Sequence, residues 1–461
     1  MLLYKIYLYI IYVELGNSVM KRFFIMIFLL CIVLSGCSKP TMEISSLIHP
    51  PKMSQSNTKL QNAINDFSSK NKKFLYPIKD NTSPAYKLDV NNDGRSEAFI
   101  FYTSSDDNLT HILVLSPTDN DYNSDKAEWI KYAEITNEGY DIDFIAFENI
   151  SQNESLDLII GWKLYNNDTK GLSVYSYNQK YKEIYSDAYN NISINDINSD
   201  RVMEIFTLSK NNSIAKIIGK KGNGINEIHK LNTDMYTNGR TYISFDEMND
   251  NTSAIIIDYD MPSEGVKTKI FTFDITSSTL SEKESDSVFL SKDLSLYSTD
   301  IDKDNRTEIF YNYTIPYTTS ESNSNDSPCF AAAFEFVKEA GLRLDFHCII
   351  NNKDGYVLKV PDTLSDKLDY SYDPNTNSID FYNNASVLSY SYTISPKLFT
   401  IRTFTKEQWD NDHGNYKLIA TSRNFSKCYG VYIYEEQRII LSDFGIDNED
   451  LIKQYFLLKN N

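Results

Sequence analysis

The sequence predicts an all-β fold, a β-propeller of seven blades, and three observations point to it. An acidic, Asp/Asn-rich loop followed by an apolar run recurs along the chain at a spacing near 50 residues. Short runs that alternate apolar and polar residues lie between the recurrences, the pattern of strands in sheets packed face to face. The composition favours strands as well: aromatic residues make up 13% of the chain, with 34 Tyr, and aromatic and β-branched side chains fit a pleated surface best. A period of this size with several short strands in each unit is the scale of a propeller blade.

The repeat is clearest in three places. Asp89-Val90-Asn91-Asn92-Asp93-Gly94-Arg95-Ser96-Glu97 precedes Ala98 to Phe101; Asp196 to Glu204 precedes Ile205-Phe206; Asp300 to Glu308 precedes Ile309-Phe310. Weaker copies start at Asn149, with Ser151, Asn153 and Asp157, and at Asp246, with Asp250. The 373 residues from Asp89 to Asn461 hold about seven units at this period. Repeats are clear over 77–313 and degenerate over 314–461, where Asn351-Asn352-Lys353-Asp354-Gly355 lacks the final carboxylate. A five-repeat region followed by a separate C-terminal β domain is the competing architecture.

Ahead of the repeats, residues 37–76 are rich in Ser, Lys, Asn and Pro and are expected to form a tether. Thr58 to Phe67 interrupts it as a short helix with Leu60, Ala63 and Ile64 on one face. Strand pairs follow in each unit, such as Leu172 to Tyr177 before Glu183 to Tyr185. Later strands are expected at Phe330 to Val337 and Leu342 to Ile349, turning at Glu339-Ala340-Gly341, then at Ser378 to Tyr382, Ala385 to Tyr392, Leu398 to Phe404, Tyr416 to Thr421 and Tyr429 to Tyr434. Thr405-Lys406-Glu407-Gln408 has the spacing of a capping box and predicts a helix start.

The loops carry oxygen ligands at positions 1, 3, 5 and 9, a set that wraps a hard cation of calcium's size. These are Asp89, Asn91, Asp93 and Glu97; Asp196, Asn198, Asp200 and Glu204; and Asp300, Asp302, Asp304 and Glu308. An EF-hand is excluded, because position 12 holds Ile100, Thr207 and Tyr311 rather than a bidentate Glu. Asp and Asn are also ordinary turn residues, so it is the repetition at blade spacing that points to calcium, in a structural role. The Asn149 loop keeps one carboxylate, and the Asp246 loop has Met248 and Ala254 at ligand positions, so neither is expected to hold an ion. The acidic loops at this period resemble the FG-GAP/VCBS propeller repeats also found in integrin α-subunit heads. The resemblance covers roughly Pro77 to Tyr313 and implies a propeller with calcium in its loops.

The N-terminus addresses the chain. Lys21-Arg22 begins a segment in which Phe23 to Val33 is continuously apolar, ending at Leu34-Ser35-Gly36-Cys37. Eleven apolar residues are too few to cross a bilayer and fit a signal-peptide core. The Leu-Ser-Gly-Cys ending resembles the lipobox of bacterial lipoproteins, which implies that residues 1–36 are removed and that Cys37 carries lipid. Met20 is the better start of such a leader, which makes residues 1–19 an upstream mis-start. The expected location is the extracytoplasmic face of the cell membrane, with the bilayer held through acylated Cys37. A net charge of −18 opposes binding to nucleic acid and to anionic lipid, and leaves an envelope protein or a glycan as the partner class. Of five cysteines, Cys329, Cys348 and Cys428 remain after the leader and the lipid site; a Cys329–Cys348 disulfide and free thiols are both open.

Catalytic patterns are missing from the sequence. The five histidines (His49, His111, His229, His347, His413) fall in no metal motif, no GxSxG elbow occurs, and no glycine-rich loop supports an organic cofactor. Trp129, Trp162 and Trp409 suit blade packing better than sugar stacking. The function expected is a non-catalytic binding or scaffold module of the cell envelope, and its alternative is a polysaccharide-active hydrolase or lyase on the same scaffold.

Overall fold

The computed structural model describes residues 55–459 apart from the internal segments 79–82, 119–127, 166–168, 178–179, 210–212, 236–238, 249–250, 262–264, 284–295, 313–326, 339, 384–395 and 447. Cys37, the leader and the strand expected at Ala385 to Tyr392 lie outside the described residues.

The fold is all-β and of propeller type: antiparallel sheets of four or five strands follow one another along the chain. Sheet 1 comprises Lys72–Phe74, Ala85–Leu88, Glu97–Ser104, Thr110–Pro117 and Trp129–Asn137. Sheet 2 is Asp141–Glu148, Asp157–Lys163, Lys170–Tyr177 and Tyr181–Tyr189; sheet 3 is Asn191–Asn195, Glu204–Ser209, Ile214–Lys221 and Gly224–Asn232; sheet 4 is Thr241–Met248, Thr252–Met261, Gly265–Asp274 and Thr279–Lys283. Sheets 2 to 4 are up-and-down meanders in sequence order, as expected of a blade, while in sheet 1 both Lys72–Phe74 and Ala85–Leu88 pair with Glu97–Ser104.

The later units are longer. Sheet 5 joins Ile309–Asn312, Cys329–Val337, Gly341–Asn351 and Tyr356–Val360 to the distant Phe456–Leu458, and sheet 6 holds Leu368–Asp373, Ser378–Asn383, Lys397–Thr405, Lys427–Ile433 and Lys417–Thr421. The described residues therefore form six sheets where the period gave seven. The difference arises because the last two sheets take a fifth strand each and the C-terminal stretch adds short helices at Arg438–Asp443 and Glu449–Gln454.

Side-chain alternation explains why the sheets stack. In sheet 3, Ile205 and Ile218 enter an apolar layer with Ile159, Leu172 and Val174 of sheet 2. Their neighbours Phe206, Leu208 and Ile217 enter the next layer with Ile255, Ile257 and Phe271 of sheet 4. Successive strand residues point to opposite faces, so one strand feeds two layers. Further layers join sheets 1 and 2 through Phe99, Phe101, Leu158 and Trp162, sheets 4 and 5 through Ile256 and Ile309, and sheets 5 and 6 through Tyr356, Phe381 and Ile401. The later strands continue the series.

The predicted helix is present as α1, Gln55–Phe67. Leu60, Ala63 and Ile64 are buried with Ala98, Ile100, Leu113 and Leu115, covering the face of sheet 1 turned away from sheet 2. The strand Lys72–Phe74 pairs with Tyr102–Ser104. The folded part thus begins ahead of the expected boundary at 77, because α1 supplies an apolar stripe that sheet 1 needs covered. Thr405 and Gln408 form the predicted capping box of helix Lys406–Asn411. Cys329, Cys348 and Cys428 are free thiols, and burial pushes the Cys348 thiol well up. Among the described residues, no helix is long and apolar enough to cross a membrane.

Phe206 is fully buried in one of these layers. Phe206→Ala should lower unfolding free energy in urea by about 3–5 kcal/mol, whereas Phe425→Ala, whose ring is exposed, should change it by less than about 0.5 kcal/mol.

Candidate metal centre

The three predicted loops share one geometry. Each is closed by a β pair between the residue before position 1 and position 9: Leu88 with Glu97, Asn195 with Glu204, and Thr299 with Glu308. Positions 4 and 6 are left-handed in every loop: Asn92 and Gly94, Ser199 and Arg201, Lys303 and Asn305, with φ from 56° to 83°. Only glycine takes this conformation freely, and other residues pay on the order of 1–2 kcal/mol, so five of these six residues are held there by their surroundings.

The holding groups are the predicted ligands. The position 1 carboxylate accepts from the position 6 amide: Gly94 N to Asp89 at 2.9 Å, Arg201 N to Asp196 at 2.7 Å, and Asn305 N to Asp300 at 3.1 Å. The position 5 carboxylate accepts from the position 7 amide: Arg95 N to Asp93, Val202 N to Asp200, and Arg306 N to Asp304, at 2.8–2.9 Å. Asn91 and Asn198 accept from the amides of Asp93 and Asp200.

Position 9 is different, because it lies in the interior. Glu97, Glu204 and Glu308 are almost wholly buried. One oxygen of each accepts from the position 2 amide: Val90 N at 3.3 Å, Ile197 N at 2.9 Å, and Ile301 N at 2.7 Å. Burial, reinforced by the neighbouring aspartates, pushes the Glu204 carboxyl to about 7 and that of Glu308 to about 8, and raises Glu97.

The loops differ in what the second oxygen meets. Glu308 Oε1 and Asp302 Oδ1 are buried and have no hydrogen-bond partner, and Asp300, Asp302, Asp304 and Glu308 bring ligand oxygens within 4.8 Å of one another. Four converging carboxylates with two buried, unpartnered oxygens are the donor set of a hard divalent cation. Lys359 reaches Asp302 Oδ2 at 2.7 Å and supplies part of the counter-charge. In the first loop Asp89 Oδ1 is likewise buried and unpartnered, while Arg95 pairs with Asp93 at 2.7 Å. In the 196–204 loop Asn198 Nδ2 donates to Glu204 Oε1 at 2.9 Å, so both oxygens of that carboxylate already meet protein donors. Residues 300–308 fit an ion best.

The Asn149 copy keeps the clamp and loses the cage. Asp157 accepts from Ile150 N and Ser151 N through one oxygen and from the Ser151 hydroxyl through the other. Asp246 begins no loop: it pairs directly with Ala254 inside sheet 4 and instead grips the next unit, accepting from Thr307 N at 3.0 Å and from its hydroxyl at 2.6 Å. Asn351 to Gly355 is the turn between two strands of sheet 5.

Contacts between units recur at position 8, a role that sequence reasoning missed. Leu156 N donates to Val90 O at 2.8 Å, and Met203 N to Asn149 O at 3.2 Å. With Thr307 on Asp246, three position 8 amides fasten their loops to the preceding unit.

No family model matches this chain, and no curated protein does. Among solved structures it is similar to the β-propeller domain of the Trilobed protease from Pyrococcus furiosus at 9% identity, covering 70% of this chain and 91% of that one with a TM-score of 0.26. It is also similar to a GH43 β-1,3-galactosidase at 8% identity, covering 72% and 74% with a TM-score of 0.24. A third is the α-L-arabinanase of Penicillium chrysogenum at 8% identity, covering 63% and 93% with a TM-score of 0.20. Likenesses of this depth say nothing of chemistry.

Two outcomes follow. Each raised carboxyl keeps its proton in the folded chain over a pH range where the unfolded chain has lost it. Folding thus retains protons between about 4.5 and 8, and stability of the cation-free protein declines as pH rises through that window. Urea midpoints from pH 5 to 8.5 read this directly, and Glu308→Gln should flatten the slope. Calcium should raise the melting temperature, since binding at 100 times the dissociation constant adds about 2.7 kcal/mol, and Asp304→Ala should weaken that response.

Proposed function

We propose that the protein is a lipid-anchored module of the bacterial cell envelope that binds or scaffolds another envelope component, with its blades secured by calcium-stabilised loops. The observation that carries the metal part is the buried, unpartnered Glu308 oxygen among three aspartates. The anchor rests on Leu34-Ser35-Gly36-Cys37 behind its apolar leader. Asp300, Asp302, Asp304 and Glu308 would hold the ion, with the 89–97 loop a second holder. A bound cation would supply positive charge to a carboxylate cage that protein donors leave incomplete. Its partner would be an envelope protein or glycan.

The second reading is a carbohydrate-active hydrolase. Glu204 and Glu308, held near 7 and 8, lie in the range of a general acid. Against it, each has one oxygen fixed on a backbone amide of its own loop, and Glu204 heads a strand of sheet 3 whereas Glu308 precedes the first strand of sheet 5. Such carboxyls serve the loop rather than a substrate.

Cys37→Ser should move the protein from the membrane fraction into the medium; retention equal to wild type would remove the lipid anchor from this account. Incubation with wall polysaccharides should give no new reducing ends. Cleavage abolished by Glu204→Gln or Glu308→Gln would establish the hydrolase instead.

A further inference from the structure

We propose that the cavity lined by loops of sheets 5 and 6 is a binding site for a small anionic ligand that bears a carboxylate or a phosphate. It encloses about 740 Å³, within the roughly 300–1,000 Å³ of small-molecule sites. Its wall comes from four separate stretches: the 301–303 part of the acidic loop, the turn at 354–355, the hairpin of sheet 6 around 420–429, and the C-terminal strand to Lys459.

Charge gives the ligand its sign. The chain as a whole carries −18, yet this wall holds Lys303, Arg423, Lys427 and Lys459 against only Asp302 and Asp354. Asp354 is engaged by Lys427, and Asp302 is engaged by Lys359 through Oδ2 alone. Lys303, Arg423 and Lys459 have no carboxylate partner among the described residues. Lys459 is the most telling of the three. The strand Phe456–Leu458 pairs with Tyr356–Leu358, and Lys459 N donates to Gly355 O at 2.9 Å, which fixes the side chain at the cavity. Its ammonium meets only the neutral side-chain oxygen of Asn352, at 2.5 Å. Burial lowers the Lys459 pKa, and an anion in the cavity would offset that desolvation cost. Carboxylates and phosphates are the ligands that such donors recognise through charge-assisted hydrogen bonds. Tyr429 and Phe456 supply an apolar floor, and the Tyr429 hydroxyl, donating to Asp354 O at 2.7 Å, holds the two sheets at this spacing.

This inference names a ligand class for the binding function proposed above, and its test is independent of anchor and metal. Calorimetric titrations of the full chain in detergent, with EDTA and low salt, would use trigalacturonate, glucose 6-phosphate and neutral maltotriose. At least one anionic probe should bind one to one and maltotriose should not, and whichever anion binds separates the carboxylate source from the phosphate. Arg423→Gln, at an exposed position, and Lys459→Met should each weaken that binding at least tenfold. Lys180→Met, in the connection between the last two strands of sheet 2, should leave it unchanged. Binding of neither anion, equal binding of maltotriose, or Arg423→Gln binding as tightly as wild type would overturn the site. Calcium-dependent melting that survives such a result would leave the metal centre standing, so the two failures are distinguishable.

Discussion

The interaction on which the rest of this structure depends is a buried carboxylate accepting a hydrogen bond from a backbone amide seven residues earlier. Glu97, Asp157, Glu204 and Glu308 all do this, to Val90, Ile150, Ile197 and Ile301. The bond closes the loop onto the head of the second strand and so fixes which strand residues face which apolar layer. A slip of one residue there would turn Phe206 and Ile205 each to the wrong side. Because the 149–157, 196–204 and 300–308 loops also pass a position 8 amide to the unit before, local closure there also sets the spacing between sheets. The cost is a carboxylate placed in the interior, where a lone charge is expensive. The chain meets that cost in two ways. In the 149–157 loop, Ser151 supplies a hydroxyl donor; in the 300–308 loop the second oxygen is left open, which is where a cation has a reason to bind.

Much of this was legible in the sequence. The spacing of Asp89, Asp196 and Asp300 located three loops, and a carboxylate nine positions into each located the clamp. The strand pair Leu172 to Tyr177 and Glu183 to Tyr185 of sheet 2 followed from alternation, and α1 from three apolar residues on one face. What escaped the sequence is physical in origin. Asp157 has a shorter side chain than Glu but performs the same clamp with help from Ser151, so a ligand-counting view ranked it too low. Asp246 has the look of a loop start, yet it lies inside its strand, paired with Ala254, and serves its neighbour by accepting from Thr307. The pairing of Tyr356–Leu358 with Phe456–Leu458 joins segments about a hundred residues apart, a contact with no local signature. The anionic-ligand cavity depends on that pairing and was invisible for the same reason.

The aromatic richness that first suggested strands is spent mainly on packing. Trp162 is buried between sheets 1 and 2, Trp129 beneath α1, and Trp409 stacks on His413 with ring centroids 4.3 Å apart. His111 sits between Glu134 and Asp107, with Tyr102 stacked on its ring. Trp162 and His111 are satisfied within the domain, Trp162 Nε1 donating to Ser173 Oγ at 3.2 Å, whereas Trp129 Nε1 is buried without a hydrogen-bond partner.

The central claim is that the 300–308 cage is built for a cation, and the most direct measurement is a count of calcium bound to the stripped protein at equilibrium. The account predicts at least one ion bound per chain at millimolar calcium and one fewer in Glu308→Gln. A stripped protein that binds none, or a Glu308→Gln variant that binds as many as wild type, would contradict it.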